Sequence, residues 1–201
     1  MGAMAKHVDP DQRRRDIAAA VARIAAAEGL QRITFREVAS EAGVSVSLVQ
    51  HYFGDKANLL KTTLEIQSED MTAYIGERLA GLGADPDPVD VIRTVARAFL
   101  PIDDVSRRSM LVYHGFAAAA LTDPALRGSE MFTNGRGLIG FFATQLARIS
   151  AEDGRGVLDH DADATGLLSL LLGLSIAVLL EQTAPGDAIA VLDAYLHRLH
   201  T

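Results

Sequence analysis

The chain has 201 residues, 49% of them hydrophobic and 22% charged, with a net charge of -7 and no cysteine. That composition belongs to a globular protein with a sizeable core, and it excludes a disulfide framework, a thiolate zinc site and thiol redox chemistry. The acidic excess is uneven: residues 1–65 carry nine basic and eight acidic side chains and the remainder ten and eighteen, so the N-terminal end is the part suited to a polyanion.

Residues 1–10 (MGAMAKHVDP) hold no apolar run that could act as a signal peptide and read as a disordered N-terminal segment. From Asp11 to Gly29, Ile17, Ala20, Val21, Ile24 and Ala25 recur at helical spacing in an alanine-rich stretch that ends on glycine. Thr34 followed by Glu37 is a capping box. It predicts a short helix through Val38, Ala39 and Ala42, stopped at Gly43 by a left-handed turn. Ser45 is a second N-cap; behind it Val49 and Phe53 share one face, while Val46, Ser47, Leu48, Gln50, His51 and Tyr52 point outward. Two short helices joined by a tight glycine turn form a helix-turn-helix. Asp55 caps a longer helix running through Leu59, Leu64, Met71 and Leu79 to the breaker cluster at residues 81–88.

Within this stretch Thr34, Val38, Ala39, Ala42-Gly43-Val44-Ser45, Val49, His51-Tyr52-Phe53 and Lys56 resemble the DNA-binding signature of the TetR family of bacterial transcription regulators. The resemblance covers about the first quarter of the chain closely. It implies an all-α protein: a three-helix DNA-binding domain at residues 11–58, followed by a helical ligand-binding and dimerisation domain at residues 59–201. It also implies a cytoplasmic, non-enzymatic, ligand-responsive repressor, with the residue 56–80 helix passing ligand state to the DNA-binding part. Thr34, Arg36, Ser45, Val46, Ser47, Leu48, Gln50, His51, Tyr52 and Lys56 are then the candidate DNA contacts. Of these, the Gln50 amide suits adenine, Val46 and Leu48 suit thymine methyls, and Lys56 suits a phosphate. Arg13, Arg14, Arg15 and Lys61 add charge beside the motif. A protein from another class, a helical small-molecule binder or enzyme with a merely structural helix-turn-helix, is the alternative reading.

Beyond Pro88 every segment reads as helix. The expected spans are Val89–Leu100, Asp103 or Asp104 to Leu121, one opened by Asp123-Pro124, Met131–Ile149, Ala162–Thr183 and Asp187–His200, with a polar break at residues 150–156. Ala164–Leu180 carries no charge, is too short for a membrane span and is apolar all round, so it needs cover on every side. A second subunit is the expected cover, placing Leu168, Leu171 and Leu172 with the last helix in a bundle across a two-fold axis. Two symmetry-related recognition helices require a palindromic operator.

In the resembled family, effectors bind among the central helices. Here those helices supply Met71, Tyr74, Phe99, Met110, Tyr113, His114, Phe116 and Phe142, which suggests a neutral, largely hydrophobic ligand. Gly135-Arg136-Gly137-Leu138-Ile139-Gly140 matches the dinucleotide-binding pattern but follows no strand, so its glycines read instead as close helix packing. His160, Asp161 and Asp163, like His197 and His200, read as solvated groups and not as metal ligands. No cofactor and no catalytic residue is expected.

Overall fold

In the computed structural model, which describes residues 9–152 and 159–200, every element is helical. The helices are α1 (Pro10–Glu28), α2 (Phe35–Ala42), α3 (Val46–Phe53), α4 (Lys56–Ala80), α5 (Pro88–Ala98), α6 (Asp104–Ala120), α7 (Pro124–Arg127), α8 (Glu130–Glu152), α9 (His160–Leu179) and α10 (Pro185–His200). No strand occurs among the described residues, so the glycine pattern at 135–140 lies inside α8 and has no sheet to serve. Nor do those glycines pack closely: a Cβ built at Gly135, Gly137 or Gly140 meets nothing within 4 Å.

Most helix starts follow from one local hydrogen bond. Asp9, Thr34, Ser45, Asp55, Asp87, Asp103, Asp123 and Asp159 each accept from a backbone N–H in the first turn of the helix that follows. The expected disordered segment lies outside the described residues, except for Asp9 and Pro10, which cap and open α1. α8 continues through Ser150 to Glu152, past the expected start of the break, and the rest of that polar stretch, residues 153–156, lies outside the described residues.

Two cores organise the chain. The first joins α1, α2 and α3 through Ile17, Val21, Val38, Val49 and Phe53 to Leu59, Leu60 and Leu64 of α4 and to Val112 and Phe116 of α6. The second gathers Ile92 and Val95 of α5, Phe142 and Leu146 of α8, Leu167 and Leu171 of α9 and Leu192 and Leu196 of α10. The helix-turn-helix therefore shares its core with two helices of the second part of the chain.

α9 needs a finer account than its composition gave. Its 20 residues are long and apolar enough to cross a membrane, so length alone does not dispose of that reading. Five of its residues, Ala164, Leu167, Leu171, Ser175 and Val178, are buried against the helices around it, and the others are half-buried or exposed. Leu171 is fully buried within the subunit, which takes it out of the expected interface, while Leu168 and Leu172 are half-buried and line a cavity. The outward face holds Ser169, Gly173 and Ile176, and the C-cap residue Leu180 continues it, at successive spacings of four, three and four, with Ile176 45% and Leu180 61% exposed.

Candidate DNA-binding surface and effector cavity

The geometry of the helix-turn-helix is set by its caps. Thr34 Oγ1 accepts from the Glu37 backbone N–H at 3.2 Å and donates to Glu37 Oε2 at 2.9 Å, so the glutamate returns to the threonine hydroxyl and not to the cap's backbone. Gly43 ends α2 at φ 65, ψ 35, and the Val44 N–H reaches back to the Ala39 carbonyl at 2.9 Å, which closes the last turn of the helix. Ser45 then accepts from the Leu48 N–H at 3.2 Å and starts α3.

That start fixes which side of α3 meets solvent. Val49 and Phe53 are buried in the first core, while Val46, Ser47, Gln50 and His51 are exposed, Val46 at 42%. Leu48 is half-buried. Tyr52 is half-buried as well and packs on the first core, with the Arg14 guanidinium 5.8 Å from its ring. The exposed stripe carries an amide, a hydroxyl, an imidazole and an aliphatic group, a set able to read base edges in a groove.

The flanking charges divide in a way that the sequence did not reveal. Arg36 and Lys56 are exposed and make no ion pair among the described residues. Lys56 is the first residue of α4, beside the free N–H groups of a helix start, which suits an anion. Arg15 instead pairs with Glu69 at 2.6 Å and Asp70 at 3.3 Å, and Lys61 pairs with Glu65 at 3.7 Å. Those two cations are already engaged within the chain.

Between the cores lies a cavity of about 340 Å³. α4 contributes Gln67, Ser68, Met71, Thr72 and Ile75, and α6 contributes Ser109, Met110 and Tyr113. Phe99, Gly135, Gly137, Leu138, Leu168 and Leu172 complete its described wall. Of the residues expected to gather around a ligand, the structure brings Met71, Phe99, Met110 and Tyr113 together here. Phe116 and Phe142 are fully buried in the first and second cores. Tyr74 lies elsewhere too: its hydroxyl donates to Asp103 at 3.0 Å and the Arg78 guanidinium stacks 3.4 Å from its ring centre. Backbone hydrogen bonding from Ser106 holds the Asp103 carboxyl below its usual range. His114 shares a 3.0 Å hydrogen bond with Ser175 of α9, and burial lowers its pKa. Tyr113, by contrast, meets the cavity, and burial raises its phenol pKa, so the group stays neutral.

Gln67, Ser68, Thr72 and Ser109 escaped the sequence reading. Small polar residues on a long helix look the same whether they face water or a cavity, and only their helical register relative to Met71 and Met110 links them to a common wall.

Residues 17–63 match the profile of bacterial regulatory proteins of the tetR family, and residues 88–201 match that of the BetI-type transcriptional repressor C-terminal domain. The HTH-type transcriptional regulator PksA of Bacillus subtilis is 26% identical over 89% of this chain and 84% of its own. The HTH-type transcriptional regulator BetI of Paraburkholderia phymatum is 30% identical over 73% of this chain and 70% of its own. The fold is shared with a transcriptional regulator from Saccharomonospora viridis solved in complex with choline, at a TM-score of 0.79 and 21% identity, covering 93% of this chain and 96% of that one.

Proposed function

The chain belongs to the TetR family of bacterial transcription regulators, with a C-terminal part of the BetI repressor type, and from that premise we propose that it works as a cytoplasmic homodimeric repressor, released from a palindromic operator by a small neutral molecule. One observation carries the reading: α4 and α6 each belong to both machineries. Leu59, Leu60 and Leu64 of α4 and Val112 and Phe116 of α6 pack in the DNA-binding core, while Gln67–Ile75 and Ser109–Tyr113 of the same helices line the cavity. A molecule that binds more tightly to one arrangement of α4 and α6 shifts the spacing of the recognition helices by its differential affinity.

Dimerisation is supported by the outward face of α9. Ile176, Leu180 and, on α10, Val191 are 45%, 61% and 41% exposed, and the small Ser169 and Gly173 on the same face of α9 let a partner helix approach closely. In the dimer two copies of α3 face DNA. Val46, Ser47 and Gln50 read bases, and Arg36 and Lys56 neutralise phosphates. The division of the chain at residue 58 into a DNA-binding and a regulatory part is a functional one, since the first core crosses it.

Fluorescence anisotropy of the purified chain on the DNA flanking its own gene tests this reading. Saturable, salt-sensitive binding that outcompetes random duplex is expected, together with loss of affinity when a cavity ligand is added. Equal binding to every duplex would overturn it.

A further inference from the structure

The geometry points to an effector that is an uncharged amphiphile, with its hydrogen-bonding end held between α4 and α6 and its hydrocarbon body against α8 and α9. This rests on the effector-cavity reading above. The described polar side chains of the cavity wall all come from α4 and α6, beside Met71, Ile75 and Met110 of the same helices, whereas the side chains from α8 and α9 are apolar. On the α4 and α6 side, Gln67, Ser68, Ser109 and Tyr113 present an amide and three hydroxyls, and none of these side chains hydrogen-bonds another described group. The hydroxyl of neighbouring Thr72 is occupied, since it donates to the Ser68 carbonyl at 2.8 Å. On the α8 and α9 side the wall is Leu138, Leu168 and Leu172.

The polar atoms on the α4 and α6 side are open to water in the free protein, and a ligand that covers them strips that water away, so a covering ligand must itself supply a donor or acceptor on that side. No described lining residue is charged. Among the described lining residues a carboxylate would meet no cation, and a quaternary ammonium would meet no carboxylate, with Phe99 and Tyr113 as the aromatic faces. An alcohol, ester, lactone or amide on an apolar body meets both walls with no charge to bury. Its polar end also falls on the α4 segment that includes Glu69 and Asp70, the residues that hold Arg15 of α1. The head group therefore acts where α4 is tied to the DNA-binding bundle.

The test compares three probes with the same chain length, 1-octanol, octanoate and octyltrimethylammonium, by calorimetric affinity and thermal shift on the full-length protein. The variants are Gln67→Leu, Tyr113→Phe and the cavity-filling Leu168→Trp, with Ile75→Trp as the filling variant if the first does not fold. The expected result is that octanol binds at least about tenfold more tightly than either charged probe, loses roughly five- to tenfold with Gln67→Leu or Tyr113→Phe, and no longer binds the filled cavity. If a charged probe binds as tightly as octanol and filling the cavity abolishes that binding, the ligand class is wrong and the cavity reading stands. Octanol binding that is indifferent to both Gln67→Leu and Tyr113→Phe overturns the placement of the head group. If no probe binds, or if binding ignores the filling variants, the cavity reading falls as well.

Discussion

The Arg15 guanidinium lies 2.6 Å from the Glu69 carboxylate and 3.3 Å from that of Asp70, which ties α1 of the DNA-binding bundle to the stretch of α4 that lines the cavity. Both carboxylates are more than half exposed, so the contacts contribute little to stability, on the order of 1 kcal/mol or less. Their effect is on coupling. Combining Glu69→Gln with Asp70→Asn should leave the melting temperature within a few degrees of wild type. Operator binding should strengthen and its salt dependence steepen, because Arg15 becomes free for phosphate, and ligand-driven release should weaken. Salt-titrated anisotropy with and without a cavity ligand checks all three.

The charges near α3 separate positioning from reading. Lys56→Ala removes an unpaired cation at the start of α4, so it should weaken binding alike on all sequences and lower the salt slope by about 1. Gln50→Ala should cost roughly 1–3 kcal/mol, concentrated at one base pair of each half-site. Lys61→Ala, whose cation is held by Glu65, should change the slope much less than Lys56→Ala. Binding to a panel of single-base operator variants at several salt concentrations distinguishes the three.

Along α9 and its C-cap, outward and inward aliphatic residues should behave differently. Ile176→Arg or Leu180→Arg places a charge on the exposed face, so the isolated subunit should stay folded while the dimer loses several kcal/mol through the buried, unpaired guanidinium. Leu171→Arg puts the charge in the second core and should prevent folding. Sedimentation velocity alongside circular dichroism separates a folded monomer from an unfolded chain.

His114 predicts a pH dependence. Burial lowers its folded pKa below the ordinary value of about 6.5, so the unfolded chain takes up the proton first. Its contribution to stability is complete above about pH 6.5 and is lost as pH falls from there towards the folded pKa. Denaturation midpoints of wild type and His114→Gln, measured between pH 5 and 8, should differ in slope below that point and run parallel above it. Parallel curves throughout would remove His114 from the account.

Much of the fold was legible because its signals are local. A cap such as Thr34, Ser45 or Asp55 bonds within its own turn, and Gly43 adopts its left-handed turn whatever lies beyond it, so the helix-turn-helix could be read residue by residue. The facing of α9 could not. A helix without charge has no polar side to mark, so Leu168, Leu171 and Leu172 looked equivalent to Ile176 and Leu180 until their neighbours were known. For the same reason Phe116 and Phe142 were indistinguishable from Phe99 as cavity residues, because burial in a core and burial against a ligand favour the same side chains. The ion pairs of Arg15 were not legible either. Its partners lie 54 and 55 residues along the chain, beyond the reach of any local pattern.

Selection from a randomised duplex library, followed by stoichiometry on the winning sequence, tests the central claim most directly. Two α3 helices related by a two-fold axis should enrich an inverted repeat, with one dimer bound per site, and Gln50→Ala should blur the same base pair in both halves. Enrichment of a sequence without inverted symmetry, or a pool that shows no enrichment at all, would contradict the account.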